Sequence, residues 1–191
     1  MRYLFSSLVF VIFWQISYSQ EDDMMSKKEI RMLEREQKIA QQEVLKEKQN
    51  NLTWKMLNDR KFVLEADFLS DGYGNRISVS PTLNFITIDS TRGVIQIGTL
   101  TGMGYNGLGG VTTEGKISSY EIKVAERKHS TSYMLSTIIL TPLGIFDINF
   151  TVSESGYATA TIKSSVRGQL TYSGSVIEPA KSRVFKGSQS Y

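Results

Sequence analysis

The spacing of hydrophobic residues changes near residue 60 and divides the chain into two parts. From residue 26 to about residue 58, hydrophobic residues recur at intervals of three, four and seven positions, with neither Gly nor Pro between them. This spacing is typical of one face of an α-helix. After residue 60, hydrophobic and polar residues alternate in short runs, as they do along half-buried β-strands. The sequence therefore predicts an N-terminal helix followed by a β domain.

The predicted helix carries a narrow hydrophobic stripe on a highly charged surface. Ser26 and Glu29 have the spacing of a capping box, in which each side chain accepts a hydrogen bond from the other residue's backbone N–H. Three interpretations of the stripe stay open: a solvated helix packed on its own domain, a short coiled-coil or partner helix, and a helix on a membrane surface. Because the stripe is narrow, we expect the helix to add little to the strand core. The stripe consists of Ile30, Leu33, Ala40 and Val44.

About eight or nine short strands are predicted after residue 60. The clearest covers residues 146–152, where Phe, Ile, Phe and Val alternate with Asp, Asn and Thr. No helical pattern separates the strands, so we expect them to pair in antiparallel order. The predicted fold is mainly β, either an antiparallel β-barrel or a strongly bent β-sandwich. Turns are predicted at Asp71-Gly72, Gly74-Asn75, Glu154–Gly156 and Arg167-Gly168.

Residues 1–19 have the three parts of a secretory signal peptide. Arg2 is the positive start, residues 8–16 form an apolar core, and Ser17–Ser19 supplies the small residues that precede cleavage, which is predicted before Gln20. We therefore expect an exported protein, located in the periplasm or secreted. The apolar core is shorter than the ~20 residues that a membrane-spanning helix needs, and no other stretch approaches that length. No transmembrane segment is expected after cleavage.

The predicted organisation comprises three segments. The signal peptide covers residues 1–19, the charged amphipathic helix lies within residues 20–59, and the β-barrel or sandwich domain covers residues 60–191. The last segment is long enough to bury one sizeable hydrophobic core without help from disulfides or metals.

The composition excludes several kinds of site and partner. The chain has no cysteine, so it cannot carry a lipoprotein anchor, a disulfide or a thiolate metal site. Its formal net charge of +3 is small and its charges are evenly mixed, so no nucleic-acid partner is expected. His129 is the single histidine, which excludes a site with several histidine ligands. We predict no bound metal ion.

Residues 102–110, GMGYNGLGG, contain the Gly-x-Gly-x-x-Gly spacing of dinucleotide-binding loops. Such loops place the pyrophosphate at the N-terminus of the helix that follows them. Here residues 111–117 are rich in β-branched residues and are interrupted by Gly115, so no helix is expected and no cofactor is predicted. We interpret the glycines as structural, because glycine adopts positive φ without steric cost. These structural glycines are Gly102, Gly104, Gly107, Gly109 and Gly110.

The sequence predicts no catalytic residue. His129 lies in a polar stretch, and the Gly-x-Ser-x-Gly elbow of serine hydrolases is missing. Most carboxylates of the strand region occupy the polar phase of their strands, which favours a solvated face over a pair of catalytic carboxylates. Residues 71–75, DGYGN, have oxygen atoms at a calcium-like spacing, but no Glu follows at the twelfth position, so a turn is expected. A hydrolase without a recognisable motif stays a third alternative for the function.

Several short motifs, which are specific only as a set, carry a family resemblance. They are Phe62–Ala66, Ser80–Phe85, Gly104–Gly107, Gly109–Gly115, Val152–Gly156 with Ala158, and Val184–Gly187. With these motifs the chain resembles the domain-of-unknown-function 4251 family, which comprises exported proteins known mainly from Bacteroidetes. The resemblance implies a mainly β, lipocalin-like fold. It implies no established activity and no catalytic residues.

The leading functional hypothesis is a non-enzymatic binding module. A barrel of about eight strands can leave room for one small apolar ligand. Ala158 and Ala160 either create that room or accommodate large neighbours such as Phe150. Tyr105 and Asn106 are the candidate ligand-binding residues, because their side chains could stack on or hydrogen-bond to a ligand at the barrel mouth. The alternative is an envelope protein that binds a partner protein through the charged helix or a sheet edge.

Overall fold

The computed structural model describes residues 26–99, 107, 109–127, 130–164 and 168–190. These residues form one helix and nine strands, so the predicted helix and the mainly β class are confirmed. Among them, residues up to Gln41 form one compact unit and residues from Gln42 onward form another. The helix is α1 (Lys27–Asn58), and the strands are β1 (Lys61–Asp71), β2 (Arg76–Ser78), β3 (Phe85–Asp89), β4 (Arg92–Ile97), β5 (Val111–Arg127), β6 (Ser130–Thr141), β7 (Gly144–Ser153), β8 (Tyr157–Ser164) and β9 (Gln169–Ile177).

The first turns of α1 have the predicted cap and are solvated. The backbone N–H of Ser26 donates to Oε2 of Glu29 at 2.7 Å, and the N–H of Glu29 donates to Oγ of Ser26 at 3.3 Å. This is the reciprocal bonding of a capping box. Residues 26–48 are all exposed, including Ile30 and Leu33 of the hydrophobic stripe.

Eight of the nine described strands form a closed antiparallel barrel. β1 and β3 to β9 pair in order around the sheet, and β9 pairs back with β1 from Val63↔Ile177 to Asp71↔Leu170. The additional strand, β2, pairs with the second half of β1, beside the segment of β1 that pairs with β3. The predicted antiparallel β-barrel is therefore confirmed. The pairing of β1 with β9 distinguishes it from the bent sandwich, whose sheets would stay open.

Large side chains fill the middle of the barrel. Phe150 and Tyr172 are fully buried, and Ala160 lies between them because it pairs with Phe150 across β7–β8 and with Tyr172 across β8–β9. Phe62 reaches Phe150 from β1 and makes an edge-to-face contact with ring centroids 5.6 Å apart. This packing favours the interpretation that Ala158 and Ala160 accommodate large neighbours over the interpretation that they create room for a ligand.

One polar group crosses this hydrophobic interior. The hydroxyl of Tyr172 on β9 donates to the backbone oxygen of Gln96 on β4, at 3.0 Å. Burial raises the pKa of Tyr172 far above its usual value, so the phenol stays neutral. A buried hydroxyl without a partner would destabilise the fold, and this bond removes that cost.

The last two turns of α1 close one end of the barrel. Thr53, Met56 and Leu57 are buried, and Met56 and Leu57 belong to the same hydrophobic cluster as the barrel interior. The hydroxyl of Tyr120 on β5 donates to the backbone oxygen of Leu57 at 2.5 Å. The expectation that the helix adds little to the strand core is therefore wrong for these turns. That expectation was based on the hydrophobic stripe that ends at Val44, whereas the buried residues lie further along the helix, from residue 53 onward.

Residues 178–190, which we call the C-terminal strap, run across the outside of the barrel. Gln96 holds the strap, because its Nε2 donates to the backbone oxygen of Phe185 and its Oε1 accepts from the N–H of Gly187, both at 2.8 Å. The strap ends beside β5, where the N–H of Ser190 donates to the oxygen of Thr112 at 2.8 Å. Val184 of the strap covers a small outer cluster made of Val63, Phe85 and Val94.

The fold predicts that substitutions on the inner and outer faces of β7 have different effects on stability. Replacing the buried Phe150 by Ala is expected to lower the free energy of unfolding by about 3–5 kcal/mol, because it leaves a cavity between β1, β7 and β8. Asn149 is exposed on the opposite face, so Asn149→Ala should change it by less than about 0.5 kcal/mol. Urea unfolding followed by circular dichroism measures both values. Equal losses would contradict the assignment of inner and outer faces.

Two leucines of α1 test the role of its two ends. Leu57 is 0% exposed and Leu33 is 44% exposed. We expect Leu57→Ala to cost about 2–5 kcal/mol of unfolding free energy, because it opens the covered end of the barrel. Leu33→Ala should cost less than about 0.5 kcal/mol, because alanine is a good helix former and little burial is lost. A similar small loss for both variants in thermal unfolding would show that the helix does not close the barrel.

Candidate functional site

The end of the barrel that α1 covers also carries a projecting β-hairpin. Residues 111–116 of β5 pair with β4, whereas from residue 117 to residue 127 the described pairing is with β6 alone. The β5–β6 hairpin therefore extends past the turn between β3 and β4. Because the last turns of α1 approach the inner face of this hairpin, a cleft forms between the helix and the hairpin.

The helix–hairpin cleft has a volume of about 290 Å³. The helix contributes two amides and an indole, β5 contributes an aliphatic side chain and a carboxylate, and β6 contributes a hydroxyl and a phenol. Every lining residue belongs to the unit that begins at Gln42. The lining residues are Asn50, Asn51, Trp54, Val124, Glu126, Thr131 and Tyr133.

A stacked aromatic pair forms the wall of the cleft. The rings of Trp54 and Tyr133 lie 5.6 Å apart between centroids, at an interplanar angle of 28°. The hydroxyl of Tyr133 donates to Oδ1 of Asn50 at 2.6 Å, which fixes the phenol against the helix. Tyr133 is 3% exposed, whereas Trp54 is 39% exposed. Much of the indole surface is therefore accessible to a ligand.

Two carboxylates lie near the phenol of Tyr133 in the cleft. Burial raises the pKa of Tyr133, and the nearby carboxylates of Glu154 and Glu126 raise it further against the hydrogen bond with Asn50. Glu154 is compensated, because Lys46 lies 2.9 Å from its Oε1 and holds its pKa below the usual value. Among the described lining residues Glu126 is the one with a charge, and no described residue forms a hydrogen bond or an ion pair with its carboxylate.

A second cavity, of about 350 Å³, lies against the outer face of the β5–β7 sheet. Its surface combines two charged side chains with methionine and small polar residues, and it offers no exposed aromatic ring. The residues that point outward here are Glu121, Lys123, Met134, Ser136, Asn149 and Thr151.

Tyr105 and Asn106 are outside the described residues, as are Gly102 and Gly104. The described residues that flank this segment, Ile97 of β4 and Val111 of β5, pair with each other at the end of the barrel opposite α1.

The described glycines of residues 102–110 have positive φ angles or closely packed neighbours. Gly107 and Gly109 have φ of 74° and 71°, a region that side chains other than glycine rarely adopt. A Cβ at Gly110 would overlap the backbone of Ile97. Strand β5 begins at Val111, so the prediction that no helix follows the glycine-rich segment is confirmed.

Asp71 organises the turn between β1 and β2. Its Oδ1 accepts the backbone N–H groups of Tyr73 and Asn75, both at 2.9 Å, and its Oδ2 accepts from Nδ2 of Asn75 at 2.7 Å. The Asn75 side-chain bond is the main reason that the pKa of Asp71 is lowered. The carboxylate oxygens thus bond within the turn that the sequence predicts.

Within the described ranges, no group of three or more acidic or histidine side chains is arranged to hold a metal ion. No helix in the same ranges is long and apolar enough to cross a membrane.

Sequence reasoning missed the cleft, because its aromatic residues come from distant parts of the chain. Trp54 lies at the end of a charged helix and Tyr133 lies in a strand. The one local signal is the sequence Asn50-Asn51-x-x-Trp54, which places two amides and a large ring within one turn of a helix whose surface is otherwise charged.

Comparisons with known proteins agree with this fold. The family model described as "Domain of unknown function (DUF4251)" matches residues 44–176. A crystal structure of a DUF4251 family protein from Bacteroides eggerthii is 28% identical, with a TM-score of 0.58 over 72% of this chain and 92% of that chain. None of the curated proteins matches the chain significantly. The family match runs from within α1 to residue 176 of β9, and the chain belongs to the DUF4251 family.

Proposed function

We propose that this protein is an exported, non-enzymatic binding module that holds a small organic cation in the helix–hairpin cleft. The observation that carries the proposal is the partly exposed ring of Trp54 in the same cleft as the carboxylate of Glu126, which has no hydrogen-bond or ion-pair partner among the described residues. A cation over an indole is attracted by the negative face of the ring, and tryptophan is the best side chain for this interaction. The carboxylate supplies the opposite charge.

The size and the polar groups of the cleft agree with a compact ligand. Its volume of about 290 Å³ is just below the range for drug-sized ligand sites, roughly 300–1,000 Å³. A trimethylammonium or alkylammonium group fits this size. The side chains of Asn50 and Asn51 can bond to a hydroxyl or carbonyl elsewhere in the ligand, and Val124 adds an apolar contact.

Binding in the cleft is better supported than binding inside the barrel. An apolar ligand in the middle of the barrel would have to displace Phe150 or Tyr172, both of which are fully buried. Displacing Tyr172 would also break its hydrogen bond to Gln96. The contribution of Tyr105 and Asn106 to ligand binding stays a prediction.

The chemistry of the lining supports binding without catalysis. The seven lining residues that belong to the described part of the chain include no histidine, lysine or serine. The backbone N–H of Thr131 donates a hydrogen bond to Oε2 of Glu154 at 3.3 Å.

Export is supported by the signal-peptide pattern of residues 1–19. Cleavage before Gln20 would leave Trp54 as the single tryptophan of the mature chain.

Tryptophan fluorescence of residues 20–191 tests the proposal, because the signal then reports on Trp54 alone. We expect choline to change the emission saturably. Its neutral carbon isostere, dimethylbutanol, has the same shape without the charge and should bind about tenfold more weakly. Equal binding of the two compounds, or no saturable change with choline or with butylammonium, would contradict the proposal.

A pair of charge-removing variants adds a control. Glu126→Gln should weaken choline binding about tenfold, because it removes the facing charge while preserving the shape of the side chain. Asp147→Asn removes a carboxylate from the outer face of β7 and should leave the affinity unchanged. An equal effect of both variants would indicate a general effect of net charge instead of a site at Glu126.

A further inference from the structure

The edge of β5 opposite β6 is uncovered along most of the projecting hairpin. On that side β4 pairs with β5 only as far as Lys116, and the N–H of Ile117 donates to the oxygen of Thr91 at 2.8 Å. From Ser118 to Arg127 the described part of the chain provides no backbone partner on this side. The uncovered segment is therefore longer than an average strand of about five or six residues.

An uncovered edge of this length matters because it offers a row of free N–H and C=O groups to another strand. A closed barrel normally removes such edges. Here the closure is complete between β1 and β9, but the different lengths of β4 and β5 leave one edge open.

We propose that the β5 edge pairs with the same edge of a second copy of this chain, in antiparallel register around a twofold axis at Ile122. Backbone hydrogen bonds would join the two sheets, and the sequence Tyr120–Val124 would lie at the centre of the contact. The proposal does not depend on the ligand of the helix–hairpin cleft.

Charge complementarity supports this occupant and this register. Glu121 and Lys123 point to the outer face of β5. With the axis at Ile122, Glu121 lies directly opposite Lys123 of the partner subunit, and the symmetry repeats the pair. Opposite charges on facing strands stabilise the pairing, whereas like charges oppose it.

The inner face of the contact is apolar in the same register. Tyr120 faces Val124 of the partner subunit, and Ile122 lies at the axis. Val124 is 46% exposed, although it is a β-branched aliphatic residue near a strand edge. The pairing would bury part of this surface, which is the favourable contribution expected from a homodimer interface.

Neighbouring registers are less complementary. Side chains alternate between the two faces of a strand. The inner faces of both copies therefore lie on the same side of the joined sheet only if the twofold axis passes through a residue and not between two residues. An axis at Glu121 or at Lys123 would place two like charges opposite each other. An axis at Val124 would pair Glu121 with Arg127 of the partner subunit but would set Ile122 against a carboxylate at position 126.

Single cysteines test the contact, because the native chain contains none. With the axis at Ile122, the two copies of an Ile122→Cys variant lie about 4.5–5.5 Å apart between Cα atoms, within the range for a disulfide. Two copies of Val124→Cys would be offset by four residues, about 13 Å, which is too far. We expect mild oxidation to cross-link Ile122→Cys into a dimer and to leave Val124→Cys monomeric. Cross-linking of Val124→Cys alone would overturn the proposed register.

A charge exchange tests the energetics of the same contact. Sedimentation equilibrium of residues 20–191 should detect a reversible dimer, and Lys123→Glu should weaken it about tenfold or more, because four carboxylates would then face each other. The double variant Glu121→Lys with Lys123→Glu restores the opposite charges and should recover the dimer. A monomer at all concentrations, or a dimer that Lys123→Glu leaves unchanged, would overturn the proposal.

Discussion

The pairing of β1 with β9 is the constraint on which the other features depend. It closes eight strands into a ring, and Gly174 permits it, because a Cβ at that position would overlap the backbone oxygen of Glu65. A barrel of eight strands has an interior that side chains can just fill. Small residues must therefore alternate with large ones, and Ala160 between Phe150 and Tyr172 meets this requirement.

Closure also decides where binding is possible. Since large side chains such as Phe150 and Tyr172 occupy the interior, we propose that a ligand or a partner uses the ends or the outside of the barrel. At one end α1 supplies its last turns as a cover, and the difference in length between β4 and β5 leaves a hairpin projecting beside it. The helix–hairpin cleft and the uncovered β5 edge both follow from this mismatch in strand length.

The sequence predicts those features that depend on local patterns. The alternation in residues 146–152 identifies β7 and its inner face, because a strand with one buried face has a period of two. The capping box at Ser26 is likewise local. The burial of Leu57, the stacking of Trp54 on Tyr133 and the covering of Phe85 by Val184 require segments that are distant in the chain, so no local pattern reveals them. The family resemblance indicates the fold but assigns no site.

The central claim is that the protein binds its ligand at the helix-covered end and not inside the barrel. Chemical-shift mapping of residues 20–191 during a choline titration tests it most directly. The account predicts the largest shifts at the indole N–H of Trp54, the side-chain amide of Asn50 and the methyl group of Thr131, with Ala160 unaffected. Largest shifts at Ala160 and its neighbours in the barrel, or at Tyr105 and Asn106, would contradict it.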